Sequence, residues 1–542
     1  MVLFKFRDHF TINNSPGIVI IFLLLVYTAT NFSHHNWTRD DGPNRGVIKW
    51  DIISFYGYLP ATFIYGDPSL DFLDEGKIDN DNKFWWSATE NGRKIIYMSC
   101  GLSIMYAPFF FMAHLLAPVF GEARDGFGSI YQFFLVFGAL VYVAMGFVFL
   151  KKILLRYFTP MVTAFTLLLI GLGTNLYYYS THEAVMSHSY NFVLITIFLY
   201  TVLKWYERPS WLRTFLLGML FGLIVLIRPT NILIIILLIL WGVDSWLSFT
   251  ERIRFFLQNI PKVLLMIFGF LLPWIPQFLY WHMITGQFLY YSYGPHGDRF
   301  YFDNPHILES LFSYRKGWLL YAPLMIFAMA GILPLRKIIK GSALPIAIYL
   351  VGMIYVMSCW WTWWFGGGFG GRIYIDMYGI LALPLAAFIS AVLAHRKKII
   401  RLGISGFLVG LLLFQLLQTR HYVGTAIHWD SMSKKAYWFN FLRLRHSVDY
   451  VHWNLLSKHD EELCRKGIYV FYDMGEDRSD VIKLSDLAGI ELMKMEIERS
   501  RTLPGDIRRY ARRMDISTDE ATRMTAERML FMIRQMQTRP SR

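Results

Sequence analysis

Long apolar runs recur along roughly the first 420 residues of the chain, and short polar or basic segments separate them. A helix needs roughly 17 to 25 apolar residues to cross about 30 Å of hydrocarbon. Runs of this kind lie near residues 17–33, 130–150, 160–178, 190–206, 213–228, 230–247, 262–284, 317–335, 343–361, 374–394 and 401–419. The pattern predicts an all-α, polytopic membrane protein with about eleven transmembrane helices.

Lysine and arginine clusters set the predicted orientation, because basic loops are retained on the cytoplasmic side of a membrane. Such clusters occur at Lys5/Arg7, Lys151/Lys152/Arg156, Lys204/Arg208/Arg213, Arg252/Arg254/Lys262, Arg336/Lys337/Lys340 and Arg396/Lys397/Lys398/Arg401. The proline-containing run at 99–120 would place the Lys151 cluster outside if it crossed the bilayer. We therefore predict that this run is a helix lying on, or dipping into, the outer leaflet.

This topology divides the chain at the membrane boundaries. Residues 1–16 form a cytoplasmic N-terminus, and residues 17–419 form a transmembrane domain. Within that domain, residues 34–128 form a large first extracytoplasmic loop. Residues 420–542 form an extracytoplasmic tail with helical stretches, one of which is predicted to start at Thr518. The expected orientation has the N-terminus in the cytoplasm and the tail outside.

The composition agrees with a membrane protein and excludes other classes. Hydrophobic residues make up 55% of the 542 residues and charged residues 17%, whereas soluble domains are closer to about a quarter charged. The net charge of +14 comes from loops between apolar runs, so we do not expect nucleic-acid binding. The three cysteines are too few and too scattered for a disulfide framework or a zinc site.

The first loop carries the most informative motif. It is polar, rich in aromatic residues and carboxylates, and follows directly after the first apolar run. In it, Asp51 is followed by Tyr56, Tyr58, Ala61 and Gly66-Asp67. This order resembles the D…Y…A…GD signature of the GT-C superfamily of membrane glycosyltransferases, which includes protein mannosyltransferases and the lipid A aminoarabinose transferase. Residues 292–324 and 363–386 also resemble segments of bacterial members, and the resemblance covers roughly residues 15 to 440.

The resemblance implies a GT-C-like helical bundle with juxtamembrane helices in the first loop. It also implies an inverting transfer of a sugar from a polyprenyl-phosphate donor to a cell-envelope acceptor, which is a lipid-linked glycan, a lipid or a protein. Such a reaction needs a general base for the acceptor, for which Asp51 is the first candidate and Asp67 the second. Some members use a divalent cation and others do not, so a Mg²⁺ or Mn²⁺ ion stays open and its ligands are unknown.

The departing phosphate requires stabilisation by positive charge. The candidates are Lys94, Arg299, Arg315 and Arg372. Arg372 ends a glycine-rich turn and opens a helix, where backbone can approach a ligand and anions are favoured; a pair between Arg372 and Asp376 is an equal alternative. Relatives usually carry a lysine before a proline-containing turn, whereas this chain has Ile96 there and no proline, which leaves Lys94 as the substitute.

Substrate contacts are expected from Tyr56 and Tyr58 in the first loop and from His182, Glu183 and His188 in the turn at 181–188. The two histidines are six residues apart, which does not place both rings on one helix face, and no HExxH motif occurs. We therefore interpret these residues as substrate contacts or hydrated polar groups rather than as metal ligands. The acidic pair Asp40-Asp41 precedes Gly42-Pro43 and is interpreted as a solvated turn.

A transporter or flippase of a lipid-linked glycan is the alternative function. It would require charged residues in the middle of the spans and paired repeats with broken helices. Charges within the apolar runs are scarce, and no internal repeat is found. The sequence therefore favours a transferase whose chemistry is centred on the first loop.

Overall fold

The computed structural model describes residues 14–38, 46–76, 83–444, 453–474, 487–500 and 503–538. Within these ranges the regular structure is helical, apart from two antiparallel two-stranded sheets and one isolated bridge. The predicted all-α class is therefore confirmed. The pair Asp40-Asp41 lies outside the described residues.

Most of the α-helices follow one another closely along the chain, with longer connections at residues 64–100 and 286–306. In order they are α1 (Ser15–His34), α2 (Asp51–Phe63), α3 (Gly101–Leu116), α4 (Ser129–Leu154), α5 (Pro160–Leu172), α6 (Leu176–Tyr179), α7 (Ser187–Glu207), α8 (Trp211–Ile227), α9 (Ile235–Leu240), α10 (Trp246–Gln258), α11 (Ile260–Leu271), α12 (Ile275–Thr285), α13 (Ile307–Phe312), α14 (Trp318–Tyr321), α15 (Leu324–Ala330), α16 (Ile332–Ile338), α17 (Ala343–Ser358), α18 (Tyr378–Leu393), α19 (Lys398–Val423), α20 (Lys434–Asn440), α21 (Glu461–Arg465), α22 (Leu487–Arg499), α23 (Leu503–Met514) and α24 (Thr518–Thr538). The strands are β1 (Trp86–Ala88), β2 (Lys94–Ile96), β3 (Ser457–His459) and β4 (Phe471–Asp473).

Six helical stretches of the described chain are long and apolar enough to cross a membrane, and four shorter apolar helices accompany them. The six are Ser15–Thr38, Gly101–Phe120, Ser129–Leu154, Ile260–Thr285, Arg372–Leu393 and Lys398–Val423. The expected count of eleven is not confirmed. One reason is the apolar run at 317–335, which is broken into α14, α15 and α16 around Pro323 and Gly331 because proline removes a helical hydrogen bond. The stretch Gly101–Phe120 has the length and composition of a crossing, so its place on the outer leaflet stays a prediction.

The chain forms two compact units. The first comprises Met1–Arg299, Ala322–Ser358 and Arg372–Leu412, and the second comprises Phe300–Tyr321, Cys359–Gly371 and Leu413–Arg542. In the first unit, α4 packs against α1, α3 and α7, and α8 packs along α11. Helices α2 and α3 lie within residues 34–128, and their juxtamembrane position stays a prediction.

The contact between α8 and α11 depends on glycine. A Cβ atom added to Gly218 would lie 2.2 Å from the carbonyl oxygen of Met266, and one added to Gly222 would lie 2.1 Å from that of Phe270. The two glycines are four residues apart and therefore share one face of α8. This is the small-residue spacing that allows membrane helices to pack backbone to backbone.

The first loop is held against the bundle by hydrogen bonds that begin at the β1–β2 hairpin. The backbone N–H of Ile96 donates to the hydroxyl of Tyr280 at 2.8 Å, and that of Cys100 donates to Gln277 Oε1 at 2.7 Å. Both acceptors belong to α12. These bonds fix residues 96–100, and they therefore fix the position of the adjacent Tyr97.

The second unit has its own apolar and ionic interior. Trp361, Trp363, Trp364 and Cys464 form a buried cluster. The described part of the tail contains α22, α23 and α24, and the last of these begins at Thr518 as predicted. The side of the membrane on which the tail lies stays a prediction.

Candidate active site

The base candidate and one phosphate candidate meet in the first unit. Asp51 is the first residue of α2, and Arg372 opens a short 3-10 helix, Arg372–Met377. Arg372 Nη2 lies 3.3 Å from Asp51 Oδ2, although the two residues are 321 positions apart in sequence. Their side chains are 14% and 31% exposed respectively. The pair is therefore sheltered, yet the carboxylate remains accessible to a ligand.

The backbone just before Asp51 has an unusual conformation. Trp50 has φ of 52°, in the left-handed region that a bulky residue rarely adopts. Such a conformation persists only where surrounding contacts hold it, and it is common at functional sites. The indole of Trp50 is 48% exposed and lies edge-on to Trp85, with ring centroids 6.3 Å apart. An apolar surface therefore adjoins the carboxylate of Asp51.

A buried carboxylate anchors a second arginine nearby. Asp376 Oδ2 accepts hydrogen bonds from Asn191 Nδ2 at 2.9 Å and Asn231 Nδ2 at 2.8 Å, and it lies 3.4 Å from Arg228 Nη1. Asp376 is fully buried, whereas the Arg228 side chain is 19% exposed. Asp376 thus holds Arg228 in place.

The charge of Asp51 contributes to the raised pKa values of two nearby tyrosines. Burial and the hydrogen bond that Tyr97 donates to Asp298 raise the pKa of Tyr97 well above its ordinary value. Burial, followed by the charge of Asp51, raises the pKa of Tyr293. Both phenols therefore stay protonated; the hydroxyl of Tyr97 donates to Asp298, and that of Tyr293 donates to Met98 Sδ at 2.9 Å. Sequence reasoning missed both.

Together these groups provide a proton acceptor and cations for a reaction in which a phosphate is the leaving group. Asp51 is a carboxylate that can accept a proton, and Arg372 and Arg228 are guanidiniums suited to bidentate phosphate binding. Sequence reasoning placed Arg228 only in a short segment between spans. The available signal was a lone arginine directly after an apolar run, followed by Pro229.

Asp67, the second candidate for the base, is engaged by its own turn. Its Oδ1 accepts the backbone N–H of Ser69 at 2.9 Å, and its Oδ2 accepts that of Phe72 at 3.1 Å. Burial raises the pKa of Asp67, but the bonds from Ser69 and the backbone outweigh it, so the net pKa is lowered. A carboxylate already engaged by its own turn is a poor proton acceptor.

Lys94 has a carboxylate partner other than Asp51. The ammonium of Lys94 pairs with Asp74 and lies 5.3 Å from the ring centroid of Trp86. Arg299 is exposed and follows the buried Asp298 in the chain. These positions give Lys94 a role in holding the hairpin rather than the phosphate.

Arg315 belongs to the second unit, where it is engaged. Its Nη1 donates to the carbonyl oxygen of Asp430 at 3.0 Å and lies 3.5 Å from the carboxylate. Its guanidinium also stacks 5.1 Å from Trp364 and 4.8 Å from Phe471. Burial lowers the pKa of Arg315, and the charge of Asp430 opposes this. The geometry therefore gives Arg315 a structural role in place of phosphate binding.

Tyr56 and Tyr58 are packing residues instead of substrate contacts. Tyr56 is completely buried and donates its hydroxyl hydrogen bond to the carbonyl oxygen of Gly126. Tyr58 is 7% exposed and donates to the carbonyl oxygen of Met98 at 2.7 Å. Both rings therefore tie α2 to the rest of the first loop.

The residues of the turn at 181–188 have separate surroundings. His182 and Glu183 line a small polar pocket that also contains Lys49 and Ile52, the close neighbours of Asp51. Burial, then His34 and Lys49, lower the pKa of His182 to about 3, so its imidazole is neutral. His188 instead lies in the Asp376 network, with its Nδ1 3.7 Å from Asp376 Oδ1.

The described residues contain no group of three or more His, Cys, Asp or Glu side chains arranged to hold a metal ion. The use of a divalent cation therefore stays open, as it was from the sequence.

No protein-family model matches the chain, and no curated protein matches it either. Solved structures do resemble it. ArnT from Cupriavidus metallidurans bound to undecaprenyl phosphate is 13% identical with a TM-score of 0.46, and the match covers 95% of this chain and 78% of ArnT. The archaeal oligosaccharyltransferase AglB from Archaeoglobus fulgidus, in complex with an inhibitory peptide and a dolichol-phosphate, is 12% identical with a TM-score of 0.41. That match covers 78% of this chain but only 57% of AglB.

Proposed function

We propose that this protein is a glycosyltransferase that moves a sugar from a polyprenyl-phosphate donor to a cell-envelope acceptor. The reaction would take place on the extracytoplasmic side of a bacterial inner membrane. The observation that carries this proposal is the pair formed by Asp51 and Arg372. Asp51 can accept a proton and Arg372 can bind an anion, and the two side chains lie 3.3 Å apart although 321 positions separate them in the sequence.

The proposed step is a single displacement. The acceptor hydroxyl or amine attacks the anomeric carbon, and its proton passes to a carboxylate oxygen of Asp51. The bond between that carbon and the phosphate oxygen breaks, and polyprenyl phosphate leaves with the electron pair. Attack opposite to the leaving group inverts the anomeric carbon.

The leaving phosphate gains negative charge as the bond breaks, and fixed cations stabilise such charge most when they are held in advance. Arg372 is held by Asp51, and Arg228 is held by the buried Asp376. This set of groups fits a phosphate at the level of Asp51.

Deletion of the gene in its source organism tests the proposal. We expect a polyprenyl-phosphate sugar to accumulate in lipid extracts analysed by mass spectrometry. Wild-type protein should reverse the accumulation, and the R372Q variant should not. The matched control is R336Q, at an exposed arginine that is not a candidate for the site, which should restore wild-type behaviour. Absence of any accumulating lipid-linked sugar in the deletion strain would contradict the proposed function.

A further inference from the structure

A cluster of arginines in the second unit lies beside the end of a membrane helix. Helix α19 (Lys398–Val423) is one of the six stretches that are long and apolar enough to cross a membrane. His421, in its last turn, donates a hydrogen bond from Nε2 to the carbonyl oxygen of Arg443. Arg443 is therefore fixed close to the level at which α19 leaves the hydrocarbon.

The cluster has more positive than negative charge. Arg443 Nη2 lies 2.8 Å from Asp506 Oδ1, and Arg509 bonds the same oxygen. Arg512 lies one turn further along α23, and burial together with the charges of Arg443 and Arg512 lowers the pKa of Arg509 to about 10. One carboxylate thus pairs with two guanidiniums, and the charge of a third, Arg512, acts on Arg509. A bound anion would relieve the repulsion among them.

Helix α23 extends the basic surface beyond this cluster. Arg508, Arg512 and Arg513 are exposed on α23, whereas Leu503, Ile507 and Tyr510 on its other face are buried. Like charges four residues apart, as in Arg508 and Arg512, destabilise a helix slightly. The apolar face of α23 is already used in packing, so the helix presents only its basic face to a partner.

An apolar groove adjoins the cluster. It is lined by Phe414, Leu417 and His421 of α19 and by Ile427, Phe441 and Leu442. Near it, Trp438 is 42% exposed, and Leu442 and Leu444 are 57% and 70% exposed. Exposed tryptophan and leucine side by side with arginine are typical of the boundary between acyl chains and headgroups.

We infer that this surface binds an anionic glycerophospholipid, independently of the proposed transferase reaction. The phosphate of the headgroup would lie against Arg443, Arg509 and Arg512, since guanidinium groups match phosphate oxygens in pairs. An acyl chain would lie in the groove between α19 and residues 437–442. The fit is to a lipid because the charges and the groove adjoin the end of a membrane helix.

Lipid binding to the purified full-length protein, counted by native mass spectrometry, tests this inference. Wild-type protein should bind phosphatidylglycerol more tightly than phosphatidylcholine. The R512Q variant should weaken phosphatidylglycerol binding about fivefold, because each arginine near a lipid surface contributes about that factor. Arg512 is exposed, so this variant is expected to fold. The L417W variant, which fills the groove, should weaken both lipids.

The matched control is R499Q in α22, whose side chain is 67% exposed and pairs with Glu496. It removes the same charge from the same unit and should leave lipid binding unchanged. Equal binding of phosphatidylglycerol by R512Q and wild type would overturn the inference. Undecaprenyl phosphate serves as the third ligand. If it binds more tightly than phosphatidylglycerol and is lost in the same variants, the assignment to a glycerophospholipid is wrong.

Discussion

Replacing Asp51 by asparagine separates a catalytic role from a structural one. The D51N substitution keeps the size of the side chain and removes its ability to accept a proton. A general base contributes about 10² to 10⁴ in rate, which corresponds to about 2.7 to 5.4 kcal/mol of barrier at about 1.36 kcal/mol for each factor of ten. We therefore expect the turnover of D51N to fall by at least about a hundredfold.

The structure predicts a much smaller effect of the same change on stability. The ion pair to Arg372 is partly exposed, at 31% for Asp51, and exposed pairs contribute about 0.2 to 1 kcal/mol. Asparagine can still accept a hydrogen bond from Arg372. The melting temperature of D51N should therefore stay close to that of the wild type, and donor binding should be largely retained.

The assay is single-turnover release of polyprenyl phosphate by purified protein, with thermal unfolding measured on the same samples. The matched control is D74N, in which the exposed carboxylate that pairs with Lys94 is neutralised. It also breaks one ion pair but lies outside the proposed machinery, so its turnover should stay within about twofold of wild type. Near-normal turnover of a folded D51N protein would refute the role of Asp51 and make Glu183 the next candidate.

Three further predictions concern packing, acid stability and topology. In G222A the new Cβ would lie 2.1 Å from the carbonyl oxygen of Phe270, so thermal unfolding should show that the free energy of unfolding falls by about 1 to 3 kcal/mol. The control is G406A, where nothing lies within 4 Å of the new Cβ, and it should be neutral or stabilising. The pKa of His182 is lowered, so the folded state binds fewer protons than the unfolded state, and stability should fall as the pH drops from about 6.5 towards about 3. The H182Q variant should reduce this acid sensitivity in unfolding measurements. The control H395Q, at an exposed histidine, should not. Cysteine labelling should place His395 in the cytoplasm and Gly297 outside, and a cytoplasmic tail after residue 420 would contradict the predicted orientation.

The class of the protein and the residue Asp51 could be predicted from the sequence because both depend on local information. Apolar runs report the membrane directly, and the motif after the first run singles out one carboxylate. The number of spans was harder to predict. Hydropathy does not register how Pro323 and Gly331 divide an apolar run into three short helices.

The rest of the candidate site depends on contacts that sequence spacing does not contain. Asp51 and Arg372 were each predicted, but their contact depends on how helices 321 residues apart come together. Arg228 was missed because a single charge between spans is usually a loop residue. Its role becomes visible only through the buried Asp376 that holds it.

Two further site predictions, Asp67 and Tyr56, depend on contacts that the sequence does not show. Asp67 and Tyr56 match the signature in type and spacing, and their partners are backbone groups. Asp67 accepts hydrogen bonds from its own turn, and Tyr56 donates to Gly126. Backbone donors and acceptors occur at every residue, so a sequence cannot indicate which side chains they will engage.

The choice of donor tests most directly the claim that the protein takes its sugar from a polyprenyl phosphate. Purified protein in nanodiscs would be supplied with an envelope-derived acceptor and with either polyprenyl-phosphate sugars or soluble nucleotide sugars, and the products would be identified by mass spectrometry. We predict that free polyprenyl phosphate and glycosylated acceptor appear together with the lipid-linked donors and that no product forms with the nucleotide sugars. Turnover of a nucleotide sugar in the absence of any lipid-linked donor would contradict the account.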